Sequence, residues 1–186
     1  FRPETDFIRL VSLHPDDLVV AYLDDIYLLI RDPARARGAY DATAAALREI
    51  CGIEVNHAKL VAWNRSGQPA PAGIAELGEG VWKSDAPAAQ CGITVVGVPI
   101  GTDEFVASSG AASVEQEETL LSRISRLPSQ QASWLLLYYC AAPRANHLLR
   151  TVPPQQVEHY ASEHDRKMLT ALRTLLVLPQ QPNAGA

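Results

Sequence analysis

Leu18-Val19-Val20-Ala21-Tyr22-Leu23-Asp24-Asp25-Ile26-Tyr27-Leu28-Leu29-Ile30 sets two apolar runs rich in strand formers on either side of an aspartate pair. Two such runs around a two-residue polar break predict a β-hairpin. Asp24 and Asp25 then sit at its tip. The pair lacks the glycine that a tight hairpin turn prefers, so the turn costs stability. Burying both carboxylates between apolar strands without a compensating charge would cost more. A tip leaves them exposed in a cleft. Hard oxygen ligands suit Mg²⁺, which is commonly held by one or two carboxylates together with substrate phosphates. The bland alternative is a solvated acidic turn that binds nothing.

Reading outward, Asp32 and Pro33 form a helix start, an N-cap followed by proline at the first helical position. Ala36, Tyr40, Ala44, Leu47 and Cys51 recur at helical spacing, and Gly52 is a natural stop. Ile53 to Trp63 reads as extended, with a local turn at Asn56-His57. Asn64 to Pro87 is rich in Gly, Pro and Ala and reads as an irregular connection. Cys91 to Ile100 is strand-like again. Beyond it the pattern turns helical, with Leu120, Leu121, Ile124 and Leu127 on one side of a helix over Glu115–Leu127. Ser129 caps a further helix ending near Pro143, whose apolar run Trp134–Ala142 reads as buried. Pro153-Pro154 opens a longer helix to about Leu178, with Val157, Tyr160, His164, Met168, Leu172 and Leu175 in one stripe. The order of elements predicts an α+β fold, a sheet with a helix on one face followed by helices. The divisions are 1–105, 106–179 and a frayed tail, 180–186.

The chain of 186 residues is 47% hydrophobic and 20% charged, an ordinary globular composition. No apolar run reaches the length of a membrane span, and no signal peptide is visible, which points to an intracellular protein. A first residue of Phe rather than Met suggests a fragment. Cys51, Cys91 and Cys140 are widely separated and odd in number, so buried reduced thiols are expected rather than disulfides or a zinc site. Net charge is −5, unevenly spread: residues 1–122 hold 9 Lys/Arg against 18 Asp/Glu, residues 123–186 hold 7 against 3. An acidic part and a basic part fit a protein that holds cations at one place and a phosphate backbone at another. His159 and His164 lie five apart, the wrong spacing for two ligands on one helix face. Trp134, Tyr138 and Tyr139 are of the type that stacks on bases, but the leucines around them favour core packing.

The apolar strand, Tyr22-Leu23-Asp24-Asp25 and the apolar strand after it resemble the Tyr-x-Asp-Asp polymerase motif of reverse transcriptases. Three later segments resemble that family in register. Gly52-Ile53-Glu54-Val55-Asn56-His57-Ala58-Lys59 is similar to its next motif. Val96-Gly97-Val98-Pro99-Ile100-Gly101 is similar to the hairpin that grips the primer end. Ala141-Ala142-Pro143-Arg144-Ala145-Asn146-His147-Leu148-Leu149-Arg150 resembles a segment following the palm in eukaryotic retroelement proteins.

The resemblance implies a partial polymerase palm over 1–105, a helical thumb over 106–179, and RNA-directed DNA polymerisation with two metal ions, Mg²⁺ or Mn²⁺. Its partners would be an RNA template, a DNA primer and deoxynucleoside triphosphates. It assigns Asp24 and Asp25 as metal ligands and catalytic groups, with Lys59 near the leaving pyrophosphate. Tyr22, Gly97, Val98, Pro99 and Gly101 would lie at the primer. Arg144, Arg150, Arg166, Lys167 and Arg173 would face the nucleic-acid backbone. The family also needs an aspartate on an earlier strand. Only 21 residues precede Tyr22, and Asp6, Asp16 and Asp17 lie too close to supply that strand. The chain is therefore expected to be inactive alone and to need the missing N-terminal part of the same polymerase. The rival readings are a non-catalytic nucleic-acid-binding remnant and an unrelated Mg²⁺-dependent phosphotransferase.

Overall fold

The structure, a computed structural model, describes residues 13–176. Asp6, the expected tail at 180–186 and the expected helix end at Leu178 lie outside the described residues. The fold is α+β, and the chain divides into two compact units between Pro87 and Ala88.

In the first unit, β1 (Leu18–Tyr22) and β2 (Asp25–Leu29) pair antiparallel, from Leu18 opposite Leu29 to Tyr22 opposite Asp25. Alternation puts Val19, Ala21, Ile26 and Leu28 on one face, where Val19 is buried. Leu18, Val20, Tyr22, Asp25 and Leu29 lie on the other face and are exposed. An isolated two-stranded hairpin is marginal in water, and Asp17 ties this one down. Its side chain, 1% exposed, accepts hydrogen bonds from the Arg31 amide at 2.9 Å and from Arg35 Nε and Nη2 at 3.0 and 2.8 Å.

The Arg35 guanidinium lowers the Asp17 carboxyl from its ordinary value near 3.8 to about 2. A depressed carboxyl stabilises the fold above its unfolded value and loses that contribution as pH falls through the folded one. The melting temperature of the chain should therefore exceed that of its Asp17→Asn variant by a constant margin above about pH 4. The margin should shrink towards zero between about pH 4 and pH 2. A margin unchanged at pH 2 would show that the pair does not anchor the hairpin.

Asp32 Oδ1 accepts from the Ala34 amide, Pro33 opens a 3₁₀ turn to Arg35, and α1 (Ala36–Ala46) follows. It buries Ala39, Thr43 and Ala46, widens into a π turn over Leu47–Cys51 and stops at Gly52, whose φ is 66°. Ile53–Trp63 does not form the expected strand. Asn56 Oδ1 accepts from the Ala58 amide and closes a 3₁₀ turn, His57–Lys59. A short polar side chain thus supplies locally what a sheet ladder would have supplied. All that remains of strand pairing here is a single parallel bridge, Ala62 to Trp82. The expected single sheet is therefore two separate hairpins. Residues 64–87 are irregular apart from short turns, pinned where Ser84 Oγ accepts from the Asn64 amide and donates to its carbonyl.

In the second unit, β3 (Gly92–Val95) and β4 (Val98–Gly101) form the other hairpin. The Cys91–Ile100 region is thus two strands and a turn. Thr102 Oγ1 accepts from the Phe105 amide and starts α2 (Asp103–Ile124), well before Glu115. The strand-to-helix change expected near 105 lies inside this unit. Ser129 caps α3 (Gln130–Leu136), and the helical path continues through a π turn, Leu137–Ala141, and a 3₁₀ turn, Ala142–Ala145, into α4 (Asn146–Thr151). Pro153 and Pro154 then open α5 (Pro154–Leu175).

Asp103 bonds Gln156, Glu117 bonds Tyr160 and His164, and Glu118 bonds Lys167, so α2 and α5 run parallel. The path between them returns antiparallel, with Leu137 and Ala141 against Leu121 and Ile124, and Ala145 against Val106. Two apolar layers result: one around Val106, Val152, Val157 and Tyr160, the other around Leu121, Ile124 and Leu137.

Trp134–Ala142 is not the buried helix expected. Ser133, Leu137 and Ala141 make the covered stripe, while Trp134, Leu135, Leu136, Tyr138 and Tyr139 are exposed. Composition marks this run as apolar but does not say how wide an arc its neighbours cover. Of the three cysteines expected to be buried, only Cys91 is; Cys51 and Cys140 are exposed.

Candidate functional site

The first hairpin turns one residue earlier than the acidic pair suggests. Leu23 and Asp24 are its two central residues, and Asp25 already belongs to β2, opposite Tyr22. Leu23 has φ 56°, while Asp24 is not among the residues with positive φ. Positive φ at the first central position alone is the pattern of a type II′ turn, where glycine is usual. Leu23 is 90% exposed, so no packing offsets the strain. Strain held without local compensation is characteristic of functional tips. Its consequence is geometric: Asp24 projects from the turn itself, and Asp25 from the open face beside Tyr22. Both carboxylates are exposed, and Tyr27 Oη donates to Asp25 Oδ2 at 3.0 Å.

Leu23→Gly removes the strain and loses no packing. It should raise the stability of the chain by about 1 kcal/mol, read as a higher melting temperature. An unchanged or lower value would mean that Leu23 is not strained.

Lys59 closes the exposed 3₁₀ turn His57–Lys59 and forms no ion pair with Asp24 or Asp25. Among the described residues no group of three or more His, Cys, Asp or Glu side chains could hold a metal ion. The donors at the tip are therefore two carboxylates, a set that fits Mg²⁺ only when phosphates complete the shell.

The second hairpin turns at Val96 and Gly97, with φ of 50° and 78°. Positive φ at both central residues is type I′, and a β-branched residue there is a clear outlier. His147, inside the Ala141–Arg150 segment, holds this tip: its Nε2 donates to the Val96 carbonyl at 3.1 Å. A side chain on Gly97 would lie 3.2 Å from that nitrogen. One on Gly101 would lie 2.5 Å from the Cys91 carbonyl, which only glycine allows. Val98 and Pro99 are turned towards the helices, Pro99 buried and Val98 packed on the Val106 layer, so this hairpin presents its Val96-Gly97 tip outward.

The basic residues separate into two sets. Arg166 pairs with Glu163 and Lys167 with Glu118, which neutralises both, and Arg173 is partly buried. Arg144 and Arg150 are exposed and carry no ion pair among the described residues, as are Arg123 and Arg126. The excess of positive charge therefore resides on these four arginines rather than on α5.

The sequence reading missed one constellation. Between the two apolar layers, Glu117 Oε1 accepts from Tyr160 Oη at 2.6 Å and Glu117 Oε2 accepts from His164 Nδ1 at 2.8 Å. All three residues are buried. Burial, then the bond to Glu117, push the Tyr160 phenol far above its ordinary value, so it stays protonated. The signal was present: Glu117 interrupts the stripe Val106, Gly110, Leu121, Ile124 of α2, and His164 interrupts that of α5.

Set beside known proteins, the chain matches no family model, no curated protein and no solved structure. No helix among the described residues is long and apolar enough to cross a membrane.

Proposed function

We propose that this chain is the palm-and-thumb portion of a reverse transcriptase, with the first hairpin carrying metal-binding aspartates of an RNA-directed DNA polymerase. The observation that carries the reading is the first hairpin, whose strained turn exposes Asp24 at its tip and whose second strand opens on exposed Asp25 beside Tyr22. Mg²⁺ or Mn²⁺ bound there would activate the primer hydroxyl and stabilise charge on the nucleotide phosphates. Asp24 and Asp25 would hold the ion. Tyr22, directly across from Asp25, would present its ring to the primer end. Lys59, exposed and without an ion pair among the described residues, would be available to the leaving pyrophosphate. The pinned tip at Val96-Gly97 would hold primer backbone, and Arg144 and Arg150 would contact phosphates. Arg166 and Lys167 are weaker candidates, since each already has a carboxylate partner.

Divalent-ion binding at the tip is expected to be weak without nucleotide phosphates. Titration with Mn²⁺ should broaden backbone amide signals near Asp24 before any others, and Asp24→Asn should abolish that broadening. Broadening that begins at Glu115, Glu117 or Glu118 instead would remove the metal role from the hairpin. The non-catalytic reading, a nucleic-acid-binding remnant, is favoured by one observation: no third acidic group joins the pair among the described residues.

A further inference from the structure

We propose that the exposed aromatic face of the α3–π segment is a stacking platform for single-stranded nucleic acid. Trp134 is 45% exposed, Tyr138 58% and Tyr139 68%, which is unusual for three large rings on neighbouring turns. They are held as a set. Trp134 and Tyr138 lie nearly parallel, centroids 6.3 Å apart and planes at 20°, and Tyr139 meets Tyr138 edge-on at 4.8 Å. Along the π turn over Leu137–Ala141, Leu137 and Ala141 lie on the covered stripe while Tyr138 and Tyr139 both stay outside.

Charge identifies the occupant. From Thr119 to Val157 the sequence contains no Asp or Glu and four arginines. All four are exposed and without ion pairs among the described residues. Ser133 Oγ, on the covered stripe, donates to the Ile124 carbonyl at 2.9 Å, so the end of α2, which carries Arg123 and Arg126, meets the start of α3. Arg144 follows the tyrosines at the other end. Exposed ring faces in a stretch whose only charges are uncompensated guanidiniums match a partner with planar bases on a polyanionic strand. Bases stacked inside a duplex do not offer those faces. The inference stands apart from the metal site.

The test is fluorescence anisotropy of an end-labelled oligothymidylate of about 20 nucleotides, longer than one such platform covers, titrated with the full chain. A duplex of equal length and phosphatidylserine vesicles run in parallel, without divalent ion or nucleotide. That buffer makes the result independent of whether Asp24 and Asp25 hold metal. The single strand should bind in preference to the duplex. Trp134→Ala with Tyr138→Ala and Tyr139→Ala should weaken binding at least about tenfold. Tyr138→Phe with Tyr139→Phe should retain it, because the faces remain. Arg123→Ala with Arg126→Ala should flatten the dependence of log affinity on log salt by about one unit. Melting and helical circular dichroism equal to the parent's will show that the variants fold. Binding unchanged on ring removal, equal affinity for duplex, or ring-dependent binding to vesicles alone would overturn the proposal. So would ring-dependent self-association in sedimentation with oligothymidylate binding intact.

Discussion

Glu117→Ala is expected to destabilise the second unit severely. Glu117 accepts from Tyr160 Oη and His164 Nδ1 inside the core between α2 and α5. Removing the carboxylate strands two buried polar groups and leaves a cavity between the two apolar layers. Breaking a buried, hydrogen-bonded pair from one side typically costs about 3–5 kcal/mol. That is a large share of the roughly 5–15 kcal/mol available to a typical domain. Chemical denaturation of the parent, Glu117→Ala, Glu117→Gln and the triple change Glu117→Leu, Tyr160→Phe, His164→Leu resolves the cause. Glu117→Gln keeps an acceptor for Tyr160 and should cost less than alanine. The triple variant removes all the polar groups together and should recover much of the loss. If alanine costs under 1 kcal/mol, roughly the value of an exposed pair, the network is not structural.

Incubated with an RNA template, an annealed primer, Mg²⁺ and all four deoxynucleotides, the chain by itself is expected to give no primer extension. Two-metal phosphoryl transfer needs both ions and the reacting atoms held in register. The tip supplies one aspartate pair, and among the described residues no third acidic group joins it. Well-oriented reactants account for roughly 7–11 kcal/mol of barrier lowering, so losing the geometry removes orders of magnitude in rate. The open face of the first hairpin, with Leu18, Val20, Tyr22 and Leu29 exposed, should also promote association. The control is Asp24→Ala. Extension by the parent and not by this variant would show a complete active site, and the account of what the tip lacks would be wrong.

Local rules carried much of the fold. The apolar–acidic–apolar pattern of residues 18–30 is a hairpin. Asp32-Pro33 starts α1 and Gly52 ends it, Ser129 caps α3, and Pro153-Pro154 opens α5, because capping depends on groups two or three residues apart. Exposed carboxylates at Asp24 and Asp25 were legible for the same reason: the cost of burying them is set by their own chemistry. The one-residue shift of the turn onto Leu23 was not legible. Strand register is fixed by which face finds cover, and that overrides the turn preference of a single leucine.

What the chain's residues determined on their own is the first hairpin, the starts of α1, α3 and α5 and the stop at Gly52, each settled by contacts between near neighbours. Tertiary packing alone decided which apolar residues are covered and which charges are spent. The Trp134–Ala142 run reads as core in any local window, yet α2 and α5 cover only its Leu137 and Ala141. Arg166 and Lys167 read as free cations, yet Glu163 and Glu118 neutralise them, the second from 49 residues away. Ile53–Trp63 reads as a strand, but a strand needs a neighbour, and only Ala62 has one, Trp82. Burial and long-range pairing depend on partners distant in sequence, and a one-dimensional pattern carries no record of which of them will meet.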